Sequence, residues 1–120
     1  MRLKIVFIIS AIYMALIGLG HLLAPIAMSA GAVPADASSG LVAFIRHYSA
    51  LFVSIAALNW MVRNAEPSAT RKAIVVANII AFGLAAALDI FAVLSGAPIT
   101  GLVPATINLL LAIAFFVTGR

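Results

Sequence analysis

The sequence predicts an all-α integral membrane protein, a four-helix bundle with both termini on the cytoplasmic side. Three observations predict it. Four uninterrupted apolar runs fill most of the 120 residues, each long enough to cross a hydrocarbon core about 30 Å thick as a helix. Hydrophobic residues make up 66% of the chain and charged residues only 8%, whereas a soluble domain carries roughly a quarter charged residues. Finally, six of the seven Lys and Arg residues fall at the span ends of one side. A length of 120 allows one domain, residues 1–120, with four spans using nearly all of it.

The first run reads Ile5 to Leu23, between Arg2 and Lys4 on one side and Pro25 on the other, and predicts a helix over about 3–23. Its basic start and the small-x-small triplet Ala30-Gly31-Ala32 also fit a secretory leader. The apolar stretch of 19 residues exceeds the usual h-region of about 7–15, so an uncleaved first helix is expected. Residues 24–40 are rich in Ala, Ser, Gly and Pro, as a surface loop is. Ser38 or Ser39 then caps a second helix over about 41–62.

Arg63 to Lys72 is the one hydrophilic stretch of any length, and Ser68 or Thr70 within it caps a third helix over about 71–95. The short link Ser95 to Gly101 forces the third and fourth helices into an antiparallel hairpin. The fourth covers about 102–118, with Pro104 in its first turn, where a missing N–H costs little. None of the runs alternates apolar with polar, which excludes membrane strands.

Orientation follows from the basic residues. Arg2, Lys4, Arg63, Arg71, Lys72 and Arg120 lie on one side, which is cytoplasmic; the loops of the other side carry only Asp36. The bacterial inner membrane is the setting this implies. The seventh basic residue, Arg46, lies inside the second run.

Polar residues recur at one depth near the periplasmic face. At 1.5 Å per residue, His21 lies ~6 Å below the outer end of helix one, and Arg46 and His47 ~8–9 Å into helix two. Asp89 lies ~8–9 Å below the outer end of helix three, and Asn108 ~9 Å into helix four with Thr106 just above it. Arg46 and Asp89 are the only formal charges deep in the spans, and their opposite signs and matched depth predict an ion pair or a water-bridged pair. An isolated charge at such a depth costs about 2.5–3.5 kcal/mol on insertion scales. His21, Arg46, His47, Asp89, Thr106 and Asn108 thus form a candidate ligand-binding or buried polar cluster, with helix register as its structural reading.

Asn59 and Asn78 form a second layer toward the cytoplasm, suited to helix packing. Asn78, Phe82, Ala85 and Asp89 share one face of helix three and are expected to point inward. Gly18, Gly20, Gly83 and Ala87 suit close helix approach. Trp60 is placed as an interface anchor.

Several chemistries are excluded. With no cysteine, the chain has no thiolate nucleophile, disulfide, Cys-ligated zinc or iron–sulfur cluster, nor the thiols of a mercury transporter. A net charge of +4 without a basic stripe excludes nucleic acid as a partner. Two His and one Asp do not make a metal site. No nucleophile–base set, phosphate loop or paired carboxylate is present, and no acid lies in helix one, unlike in the small multidrug-resistance exporters. The expectation is a non-enzymatic accessory or assembly subunit of a membrane complex, or a binder of a small lipophilic ligand. The alternatives are a quinone-linked component, a bis-histidine haem b held by His21 and His47, or a proton-coupled carrier. The expected partners are the bilayer, other membrane subunits or further copies of the chain.

The order of Gly18-Leu19-Gly20-His21-Leu22-Leu23-Ala24-Pro25, Ile45-Arg46-His47-Tyr48-Ser49-Ala50, Trp60-Met61-Val62-Arg63-Asn64, Arg71-Lys72-Ala73 and Leu94-Ser95-Gly96 resembles a group of small bacterial four-helix membrane proteins of unknown function, loosely DoxX-like. The resemblance spans nearly the whole chain and implies a four-helix bundle in which the second-helix arginine, here Arg46, belongs to the pattern. DoxX itself is associated with a thiosulfate:quinone oxidoreductase subunit; this sequence has no catalytic motif onto which that activity maps.

Overall fold

The structure, a computed structural model, describes residues 2–29 and 31–120. Ala30, part of the cleavage-like triplet, lies outside the described residues. The described chain is helical, in the order α1 (Arg2–Leu23), α2 (Pro25–Met28), α3 (Ser39–Val62), α4 (Ala69–Leu94), a 3-10 turn (Ile99–Gly101) and α5 (Leu102–Thr118). Four segments are long and apolar enough to cross a membrane: Arg2–Leu23, Ser39–Val62, Ala69–Leu94 and Ile99–Thr118. The chain divides into two compact units, Phe7–Met61 and Val62–Arg120 with the first residues of the chain.

In the first unit, α1 ends where Pro25 dictates. A residue before proline is pushed out of the α region, and Ala24 sits at φ −136° and ψ 64°. Pro25 then opens the short α2 at its first position, where its missing N–H costs nothing. Ser38 accepts the N–H of Leu41 through Oγ at 3.2 Å and so caps α3. The paired residues give the register of α1 against α3. Ser10 meets Asn59, Gly18 meets Val53, and Leu22 meets Arg46, so numbers rise on one helix as they fall on the other. The two helices are antiparallel. Gly18 allows a close approach: a Cβ there would lie 2.8 Å from Val53 Cγ2 and 3.0 Å from its backbone N.

In the second unit, Ser68 adopts extended backbone and accepts the N–H of Arg71 at 3.1 Å, capping α4. Of the two capping serine or threonine candidates for this helix, Ser68 is the one used. The far end closes in a Schellman motif. Gly96 takes φ +102°, its N–H donates to Val93 O at 3.1 Å, and the N–H of Ala97 donates to Ala92 O at 2.9 Å. The chain turns through the 3-10 segment directly into α5. Val93 lies by Gly101, Asp89 by Asn108, Phe82 by Phe115 and Val75 by Gly119, which is an antiparallel hairpin throughout. Phe82 and Phe115 stack in its middle with ring centroids 6.0 Å apart.

The outer surface differs from that of a water-soluble protein, while the interior is apolar with a few polar residues in it. In the first unit Ser10, Ser49 and Asn59 are buried, as are Phe7, Met14 and Ile45; in the second Asn78 and Asn108 are buried, as are Phe82, Leu111 and Phe115. Large apolar residues face out from every long helix, among them Leu16, Met61, Ile80, Leu84, Phe91 and Leu110.

Candidate functional site

Each hairpin contains polar contacts. In the α1–α3 hairpin, Asn59 Nδ2 donates to Ser10 Oγ at 3.0 Å, and both residues are completely buried. Ser10 Oγ in turn donates to Phe7 O at 3.0 Å, so the hydroxyl both gives and receives. Thirteen residues along α3, or ~20 Å at helical rise, Arg46 Nε donates to Leu22 O at 3.3 Å. Leu22 lies in the last turn of α1, where carbonyls lack intrahelical donors, so the arginine supplies one.

His21 lies beside this contact. Its Nδ1 is 2.8 Å from Ile17 O; a carbonyl only accepts, so Nδ1 is the donor in this contact. The ring is tilted over Phe52 with centroids 5.9 Å apart. His47 is exposed and has no polar partner among the described residues. Ile45 and Ser49, two positions to either side, are buried, which places His47 on the opposite face of α3. His21 and His47 therefore do not converge as the two axial ligands of a haem must.

In the α4–α5 hairpin, Asn108 Nδ2 donates to Asp89 Oδ2 at 3.3 Å. Asn108 is buried and Asp89 half-buried. Asn78, further along the same face of α4, is buried and donates to Ile74 O at 2.9 Å. Of the face expected to point inward, Asn78 and Phe82 are buried, and Ala85 and Asp89 half-buried. Thr106 departs from the cluster: it is exposed, and its Oγ1 donates back to Leu102 O at 2.8 Å. It lines a shallow apolar groove with Leu102, Val103 and Ile107. Two residues from Asn108, it shares that residue's depth but not its face.

The structure thus brings together Asp89 with Asn108, and Arg46 with the His21 end of α1. Sequence reasoning missed Ser10 and Ser49, both buried, and the Leu22 carbonyl as partner of Arg46. Ser10 had a legible signal: it shares a helical stripe with Phe7, Met14 and Gly18. Among the described residues, no three His, Asp or Glu side chains gather as a metal site. Compared with protein-family models, curated proteins and solved structures, the chain matches none, so the resemblance to DoxX-like proteins rests on the residues that suggested it.

Proposed function

We propose that this chain is a four-span integral membrane protein, both termini cytoplasmic, that serves as a non-catalytic accessory or assembly subunit of a membrane complex. The observation that carries this reading is the apolar outer surface of the four long helices. Large apolar residues are exposed on all four long helices, while Asn59 bonds Ser10 and Asn108 bonds Asp89. Polar groups used this way hold helices in register and leave the outer faces for lipid and for partner helices. The bacterial inner membrane is the proposed setting, since Lys and Arg concentrate in the segments assigned to the inside.

One observation favours a second reading. Asp89 is a half-buried carboxyl inside a span with one neutral partner, and an ionisable residue in such a place commonly lies on a proton or ligand path. A quinone-linked component or proton-coupled carrier would work through it.

Purification of the full chain in mild detergent separates the readings. Stoichiometric co-purification of larger membrane subunits is the expected result. A preparation free of partners that yields extractable quinone, or that shows a Soret band, overturns it. The absence of cysteine makes topology directly testable: S38C should react with an impermeant maleimide from outside intact cells, and E66C only after lysis.

A further inference from the structure

We infer that the guanidinium of Arg46 binds phosphate oxygens, and that its ligand is the headgroup of a phospholipid in the leaflet where α1 ends and α3 begins. The inference rests on the membrane-spanning reading. Arg46 is exposed although it lies in the eighth position of the apolar helix Ser39–Val62. A cation there must meet an anion, a headgroup or water.

Its geometry selects among these. Side chains on a helix lean toward its N-terminus, so Arg46 lifts its charge toward the Ser38 end of α3. There Nε is committed to Leu22 O at 3.3 Å, which fixes the plane of the group. The two terminal nitrogens have no partner among the described residues. They present a planar fork of N–H donors, the arrangement that matches two oxygens of a phosphate.

The surroundings supply no anion from the same hairpin. Within Phe7–Met61 the only acid is Asp36, exposed in the loop and not bonded to Arg46. The level also fits a headgroup. Tyr48, two residues on, is 47% exposed and meets Phe52 edge-on at 4.8 Å. Tyrosine is enriched at the membrane–water boundary. Free phosphate shares the oxyanion chemistry, but the exposed apolar residues flanking the site, Phe44 and Leu23 among them, suit acyl chains.

Native mass spectrometry of the full chain in mild detergent tests this with phosphatidylglycerol, diacylglycerol of the same acyl chains, and inorganic phosphate as probes. The wild-type chain should retain phosphatidylglycerol over diacylglycerol by on the order of tenfold, the value of one good charge-assisted pair. R46Q should lose that preference, R46K should keep part of it, and R120Q should leave it unchanged. Equal retention of the two lipids by the wild-type chain overturns the inference without reliance on any variant, as does a full preference in R46Q. Inorganic phosphate that displaces the lipid at matched concentration overturns the lipid assignment. A several-fold rise in D89N would show Asp89 occupying the fork, and would overturn it as well. Resistance to carbonate extraction, measured on the same material, separates failure of this inference from failure of the membrane reading.

Discussion

Asn59 of α3 and Ser10 of α1 form a completely buried hydrogen bond of 3.0 Å between two antiparallel helices. It is the buried one of two polar contacts described between these helices, the other being Arg46 to Leu22 O, and the hydroxyl of Ser10 is also held by Phe7 O. Interhelical bonds of this kind couple by about 0.6 kcal/mol on average in membranes, with a maximum of about 1.7. Full burial places this one toward the upper value. A double-mutant cycle of S10A and N59A, followed by unfolding in mixed micelles, should therefore return a coupling of about 1 kcal/mol. Additive losses would remove this contact from the register of the hairpin.

Gly18 makes a different prediction for the same pair of helices. A methyl group there would sit 3.0 Å from the backbone N of Val53 and 3.1 Å from Phe52 Cβ. Neither atom can swing away as the end of a long side chain could. G18A should lower stability by about 1–3 kcal/mol, the usual range for overpacking a well-fitted contact. A melting curve unchanged from wild type would show that α1 and α3 separate without cost.

Asp89 and Asn108 predict an asymmetry. N108L removes the donor that the half-buried Asp89 carboxylate uses and should cost about 1–3 kcal/mol, the price of an unsatisfied polar group. D89N keeps hydrogen-bonding capacity on both sides and should cost less. Combining D89N with N108L should recover part of the loss. Equal losses for N108L and D89N, read by thermal aggregation in detergent, would contradict the pairing.

Gly96 offers a test free of packing. Its φ of +102° is one that L side chains rarely adopt, yet no atom lies within 4 Å of a Cβ placed there. The cost of G96A is therefore conformational, about 1 kcal/mol, and should appear as a lower melting temperature with helix content retained by circular dichroism. A neutral outcome would mean that the Schellman closure is not what ends α4.

The four long helices were legible because their apolar runs are nearly unbroken. Expected spans of 3–23, 41–62, 71–95 and 102–118 compare with Arg2–Leu23, Ser39–Val62, Ala69–Leu94 and Leu102–Thr118. Hydropathy is blind to short turns, so Pro25–Met28 and Ile99–Gly101 passed as loop. The polar residues show the limit of depth as a guide. Asp89 and Asn108 share a level and meet, whereas Thr106 shares the level and bonds its own helix from another face. Rise along a helix is read directly from residue number; rotation needs a face, and an all-round apolar helix does not advertise one. Ser10 was legible by its stripe with Phe7, Met14 and Gly18, whereas its bond to Asn59 was not, because the relative rotation of α1 and α3 is not written in either run.

The bond between Asp89 and Asn108 also bears on how the chain is made. The acceptor is synthesised 19 residues before its donor, so at about 5–20 residues per second Asp89 waits on the order of one to four seconds for Asn108 to emerge from the ribosome. A lone α4 would enter lipid with its carboxyl bare; the completed hairpin enters with the carboxyl already bonded. The insertion machinery should therefore release α4 and α5 as one object, and a translational pause between codons 89 and 108 would work against that order by lengthening the time α4 spends alone.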